Sequence, residues 1–258
     1  MFILDDKCSI TQSIATKRPT LLCLDIDGTL AEFQLDPTQS FIPTSTLKLL
    51  AQLQQHIPII FITGRDLAQA QRLIAPLLAP IFAHYGLILH TADQTQSLAS
   101  THLIQQVASM YQQAKSLCQV YPELLIEDKT LSIAIHFRQA PQLAQIATEI
   151  CQQLQHHYPD FKLQHGQMVC ELMPSGCDKG QAILRVHQRY PNAHIMFIGD
   201  DHADEAAFAQ VNHLHGTAIK VGDAPSLATY RLSNLYQVPK FLSHLLNQLL
   251  TLEEYLDV

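Results

Sequence analysis

Hydrophobic and polar positions along this 258-residue chain follow two different periods. Nearly unbroken apolar runs at Leu21–Leu24, Ile57–Ile62 and His194–Ile198 stop abruptly in Asp25-Ile26-Asp27-Gly28-Thr29, Thr63-Gly64-Arg65 and Gly199-Asp200-Asp201. Runs this short, closed by turn residues, predict buried strands. Ile81–Leu89 and Gly216–Val221 read as further strands. Helical periodicity covers Thr44–His56, Asp66–Leu78, Asp178–Tyr190, a segment from Asp204 to Gln210, and Pro239–Leu250. Fully apolar strands alternating with helices predict a parallel sheet covered on both faces, an α/β core of Rossmann-like type.

The middle of the chain has a different order. Thr101–Val120 is helical, and Glu123–Lys129 and Leu131–Gln139 read as strands joined tightly around Lys129-Thr130. Pro141–Tyr158 is a helix with proline at its start. Phe161–Gln164 and Gln167–Met173 predict a hairpin around His165-Gly166. Such antiparallel pairing predicts an inserted α+β domain over residues 93–172. The core is then discontinuous, 20–92 and 173–258, behind a loosely ordered leader at 1–19.

Composition narrows the partners. Hydrophobic residues make up 47% of the chain and charged residues 15%, enough to bury a sizeable core. The formal net charge is −7 and no Lys/Arg block occurs, which argues against nucleic acid or an anionic membrane as partner. The six cysteines lack metal-finger spacing, and buried thiols are the default in their apolar segments. No basic region precedes the apolar start, so no secretory signal is expected. The most apolar long stretch, Leu77–Leu89, is too short to span a bilayer. These features predict a soluble cytoplasmic protein; nothing in the pattern specifies an oligomeric state.

Side chains two apart on a strand share a face, so Asp25 and Asp27 project together from the strand's C-terminal end, where open α/β sheets place their ligands. Two carboxylates this close repel unless a cation or proton is shared. Asp-Gly is also an ordinary turn dipeptide. One arrangement uses both carboxylates: Mg²⁺ bridging the site, one Asp as nucleophile, the other as acid/base. The remaining strand ends, with Lys179 opening a helix, supply what phosphoryl transfer requires: a nucleophile, donors to phosphate oxygens, metal ligands and a cation.

In this order, DIDGT, TGR, Lys179 and GDDHADE resemble the haloacid dehalogenase superfamily of phosphotransferases. The resemblance implies Asp25 as the nucleophile that becomes an aspartyl-phosphate, and Asp27 as general acid and then base. It implies Thr63 and the Gly64 N–H as phosphate ligands, and Lys179 as the cation between nucleophile and phosphate. Asp200 joins the Asp25 carboxylate and Asp27 carbonyl around Mg²⁺, with Asp201 and Asp204 orienting Lys179 and metal-bound water. All-oxygen ligands suit Mg²⁺ over a transition metal.

The inserted domain corresponds in position to the larger cap type of that superfamily, which selects the leaving group. Its strand faces pair Glu127 with Lys129 and His136 with Arg138, opposite Ile126, Ile133, Ile135 and Phe137. Such a polar face suits hydroxyl recognition, and it also suits a solvated outer sheet face. The segments EDKTLSIAIHFRQAP, VCELMPSGCDKGQAI and FIGDDHADEAAF resemble the bacterial trehalose-6-phosphate phosphatase family, over residues 20 to about 240. That resemblance implies Lys129, His136 and Glu171 as sugar contacts, joined by Glu127 and Arg138, and trehalose 6-phosphate as the small-molecule substrate. HYGLILHTAD replaces a Gly-rich segment common in relatives, Met173 and Ser175 replace basic residues, and Asp178 replaces a small one. Another sugar phosphate, such as sucrose 6-phosphate, is the nearest rival substrate. A catalytically inactive sugar-phosphate-binding regulator is more distant, because Asp25, Asp27, Lys179 and Asp200 are all present.

Overall fold

A computed structural model of the chain describes residues 2–4, 20–34 and 36–256. These residues form two compact units: Met1–Thr95, Asp178–Asp200 and Asp204–Val258 in the first, Gln96–Cys177 and Asp201–Ala203 in the second. The junctions lie at 95/96, 177/178, 200/201 and 203/204.

The strands, numbered along the chain, include β1 (Phe2–Ile3), β2 (Thr20–Leu24), β3 (Ile59–Ile62), β4 (Ile81–Ala83), β5 (Ile88–His90) and β6 (Thr95–Ser97). Three more follow late: β11 (His194–Gly199), β12 (Thr217–Val221) and β13 (Tyr230–Leu232). They form one sheet in the order β1-β13-β12-β11-β2-β3-β4-β5-β6. Pairing is parallel from β1 through β4. The strand order reverses direction at β2, between β11 and β3, so the C-terminal ends of these three strands border one crevice.

Both faces of the sheet are covered, which is why its strands read as continuous apolar runs. Leu22 and Leu24 of β2 face a core formed with α1 (Thr44–Leu53), α2 (Leu67–Ile74) and α7 (Gln237–Leu256). Leu21 and Cys23 face the opposite core, formed with α5 (Lys179–Arg189) and α6 (Glu205–His213). No helix among the described residues is long and apolar enough to cross a membrane.

Two expectations for this unit are corrected. The leader expected at 1–19 begins with a strand instead, since β1 pairs in parallel with β13 and Leu4 is buried; residues 5–19 lie outside those described. Ile81–Leu89 is not one strand. His84, Tyr85 and Gly86 adopt φ of 48°, 55° and 94° and turn the chain back, so β5 runs antiparallel to β4. Hydropathy is blind to this reversal because both arms are apolar. The turn is held from outside: His84 and Tyr85 donate their N–H groups to the Arg65 and Thr63 carbonyls at 3.0 and 2.9 Å.

The second unit is a four-stranded antiparallel sheet in the order β7-β8-β10-β9, with β7 Leu125–Asp128, β8 Ile133–His136, β9 Phe161–Gly166 and β10 Val169–Pro174. Helices α3 (Thr101–Cys118) and α4 (Ala144–His157) bury Val107, Met110, Ile150 and Leu154 against Ile133, Ile135 and Leu172. The tight β7–β8 connection sits at Lys129-Thr130 as expected, with Thr130 at φ 69°. The later hairpin turns at Gln167-Met168 rather than at His165-Gly166: Gly166 pairs with Val169, and Met168 takes φ 58°. Glycine there ends a strand without reversing it.

Helices α5 and α6 approach closely at Gly180, where a Cβ would lie 2.7 Å from the Ala206 carbonyl oxygen. Helix propensity alone favours Gly180→Ala by about 1 kcal/mol. Overpacking against backbone costs about 1–3 kcal/mol and should win. The variant is expected to melt a few degrees lower than the parent; a higher melting temperature would contradict the close approach.

Candidate active site

Asp25 directly follows β2; it is 4% exposed and anchored by its N–H to the Ile198 carbonyl at 3.0 Å. The chain then turns at Gly28, φ 74°. A Cβ on Gly28 would lie 2.0 Å from Asp200 Oδ2, so the turn admits the Asp200 carboxylate only because position 28 has no side chain.

Asp27 meets a cation to which the sequence pattern assigns no role. Arg65 Nε and Nη2 donate to Asp27 Oδ2 and Oδ1, each at 2.6 Å. The Arg65 Nη1 also reaches Gln69 Oε1 at 3.3 Å, one turn into α2. This bidentate fork fixes both the position and the plane of the carboxylate. Its signal was visible as the last residue of Thr63-Gly64-Arg65, but the partner depends on β2 and β3 lying side by side. Thr63 is buried, its N–H bonded to the Phe82 carbonyl at 2.9 Å and its Oγ1 accepting the Arg65 N–H at 3.1 Å. The Tyr85 ring packs on Gly64, 2.4 Å from where a Cβ would stand.

Lys179 occupies the centre. Its ammonium, almost fully buried, lies 2.7 Å from Asp25 Oδ1 and 2.6 Å from Asp204 Oδ1. Asp178 sets this position by capping α5, its side chain accepting the Gln181 N–H at 2.9 Å. The departure at 178 therefore has a local physical role. Burial pushes the Asp25 carboxyl up, opposed by Lys179 and reinforced by Asp204 and Asp27, to about 7. For Lys179, burial favours the neutral amine, but the Asp204 and Asp25 carboxylates outweigh it and hold the ammonium above its ordinary value.

Asp200 begins the loop after β11. Thr29 Oγ1 donates to its Oδ1 at 3.2 Å, its N–H donates to Asp204 Oδ2 at 3.0 Å, and its carbonyl accepts from the Lys220 ammonium. One oxygen each from Asp25, Asp200 and Asp204 lies within 4.8 Å of the others. An all-carboxylate set of this kind fits a hard divalent cation such as Mg²⁺. Asp204 is fully buried with both oxygens taken by protein donors, so it suits a bracing role better than a ligand's. Asp201 groups with the second unit; its Oδ1 accepts the His202 N–H at 2.6 Å. Among the described residues, Lys179 pairs with the Asp25 and Asp204 carboxylates.

The second unit carries the other predicted residues. Register aligns Glu127, Ala134 and Glu171 in one row across β7, β8 and β10. Lys129 Nζ lies 2.9 Å from Glu171 Oε2, and Ser132 Oγ donates to Glu171 Oε1 at 2.6 Å. Ser132 has no signal in the sequence, where it falls within the predicted strand Leu131–Gln139 and its partner is 39 residues away. His136 Nε2 lies 2.9 Å from Glu127 Oε2, while its buried Nδ1 has no hydrogen-bond partner among the described residues. Arg138 falls in the turn after β8.

Comparison with known proteins matches the same stretch. A family model described as trehalose-phosphatase matches residues 23–236. Trehalose-6-phosphate phosphatase of Escherichia coli K12 is 31% identical over 223 residues, covering 83% of this chain and 82% of that protein. A probable trehalose-phosphate phosphatase of Sinorhizobium fredii is 33% identical over 210 residues, covering 78% and 77%. The C-terminal domain of the C. albicans trehalose-6-phosphate phosphatase superposes with a TM-score of 0.85 over 93% of this chain and 97% of that one; at 19% identity this likeness shows the fold. Since one family model spans most of its length and a relative above 30% identity aligns across most of both chains, this chain belongs to the trehalose-phosphatase family.

Proposed function

We propose that the protein hydrolyses trehalose 6-phosphate to trehalose and phosphate, with Mg²⁺, through a phosphate ester on Asp25. The buried Lys179 ammonium shared by Asp25 and Asp204 carries this reading. It holds a nucleophilic carboxylate beside a fixed positive charge, as in-line attack on a phosphate dianion requires.

An Asp25 oxygen attacks phosphorus and the bond to the sugar's O6 breaks. The departing oxygen takes a proton from Asp27. As a carboxylate, Asp27 then accepts a proton from water, whose oxygen bonds to phosphorus while the Asp25–phosphorus bond breaks. Thr63 and the Gly64 N–H bind phosphate oxygens, and Arg65 grips the Asp27 carboxylate, releasing one of its oxygens when that group carries the proton. The Asp25 and Asp200 carboxylates and the Asp27 carbonyl would hold Mg²⁺, whose charge offsets that of the phosphate oxygens. Asp204 braces Lys179 and the Asp200 backbone, and Asp201 has a supporting role in the same loop. Discrimination of the sugar rests on Glu171, Lys129, His136, Glu127 and Arg138. Glu171 is pre-oriented by Lys129 and Ser132, so a mismatched hydroxyl leaves buried polar groups unpaired.

Phosphate release from trehalose 6-phosphate, sucrose 6-phosphate, glucose 6-phosphate and an aryl phosphate tests the reading. Trehalose 6-phosphate should be strongly preferred, and Asp25→Asn should lose turnover on every ester while melting as a folded protein. Retained turnover in that variant would remove the phosphoaspartate. Glu171→Ala should lose about tenfold or more in kcat/KM on trehalose 6-phosphate, as for an unmet hydrogen bond to a charged group. The aryl phosphate should be far less affected, and equal losses would sink the sugar-contact assignment.

The raised Asp25 carboxyl adds a pH test. Below about 7 its proton competes with a cation, and above that it is a carboxylate. Cation binding should therefore strengthen as pH rises. Mg²⁺ should raise the melting temperature more at pH 8 than at pH 6, an effect Asp200→Asn should blunt. Identical shifts at both pH values would contradict the elevated carboxyl.

A further inference from the structure

One buried cation is unused by the mechanism above. Lys220 lies on β12, whose other residues are Thr217, Ala218, Ile219 and Val221, and it is only 2% exposed. Burying an ammonium is unfavourable unless charge or hydrogen bonds offset it. Among the described residues its hydrogen bond is to the Asp200 main-chain carbonyl. A methionine would fill the same volume without that desolvation, so hydrophobic packing does not explain a lysine here.

The register explains how it reaches the site. Gly199 of β11 pairs with Lys220 of β12, which sets the lysine beside the residue preceding Asp200. Asp200 is thereby gripped on both sides of its Cα. The peptide before it is tied through its N–H to Asp204 Oδ2 at 3.0 Å, and the peptide after it through its carbonyl to Lys220. Fixing both peptide planes fixes φ and ψ, leaving only side-chain rotation, which Thr29 restricts at Oδ1. The Lys220 positive charge also adjoins a cluster in which three carboxylates offer oxygens within 4.8 Å of one another.

We propose that Lys220 is a positioning residue for the cation site: its buried ammonium locks the peptide following Asp200 and so aims the Asp200 carboxylate. This inference rests on the Mg²⁺ reading proposed above. Removing such an outer support weakens metal binding by about 10- to 100-fold in comparable sites. It leaves substrate binding at saturating metal nearly unchanged.

The test is direct titration of Mg²⁺ into the full-length protein by calorimetry, comparing the parent with Lys220→Met and Lys220→Gln. The Mg²⁺ dependence and KM of aryl phosphate hydrolysis are measured alongside. Lys220→Met should weaken Mg²⁺ binding about tenfold or more, with KM at saturating Mg²⁺ within about twofold of the parent. Lys220→Gln, which keeps a donor, should fall between. Unchanged Mg²⁺ affinity in a folded Lys220→Met overturns the proposal. So does a parallel loss of affinity and KM, which marks general loosening of the fold. Should Lys220→Met not fold, Lys220→Gln decides by the same criteria. If the parent itself fails to bind Mg²⁺, the cation reading fails first and the proposal with it, an outcome distinct from a parent that binds and a variant that does not weaken.

Discussion

A single ammonium group buried between two carboxylates organises the catalytic unit. Lys179 sits at the first turn of α5, and its partners come from the end of β2 and from the loop after β11. Three separate chain segments thus converge on one charge that water scarcely reaches. Each ion is costly to bury alone, and removing one member of such a set typically costs about 3–5 kcal/mol because the others remain buried and unpaired. The arrangement therefore ties folding of the core to correct assembly of the acidic cluster. The Asp178 cap and the close α5–α6 contact at Gly180 serve that end, since either one shifts the lysine if it changes.

Positive and negative groups alternate outward from this centre. Arg65 holds Asp27, Lys179 holds Asp25 and Asp204, and Asp204 in turn holds the Asp200 backbone. The chain as a whole is acidic at a net charge of −7, yet its site for a dianionic substrate gathers cations on the carboxylates that need them. Local pairing, rather than overall charge, decides what the crevice can attract. The second unit repeats the device with Lys129 on Glu171.

The α/β class was legible in the sequence because β2, β3 and β11 are buried on both faces, and a double burial leaves an unbroken apolar run. The residues at their ends, Asp25, Asp27 and Asp200, were legible for the same reason: a strand that stops in acid cannot be continuing its core. What stayed hidden depends on partners distant in sequence. The reversal at His84–Gly86 is held by carbonyls of the 63–65 segment, so no local pattern announces it. The partner of Arg65 depends on β2 and β3 being neighbours, and that of Ser132 on β8 pairing with β10. A lysine inside a strand as apolar as β12 was the one visible sign of Lys220, and only its burial gives that sign meaning.

The acidic loops meet at places where there is no room for a side chain. The Asp200 carboxylate occupies the volume a Cβ on Gly28 would need, and the Asp204 carboxylate does the same at Gly199, 2.4 Å from where a Cβ would stand. Chemistry and architecture are therefore encoded at different positions and drift under different rules. Replacing one of these carboxylates by its amide keeps the volume of the loop but leaves charged partners unpaired, at a cost in stability. Neither glycine can be enlarged without displacing a carboxylate of the cluster, so these two positions are held by volume where the carboxylates are held by charge.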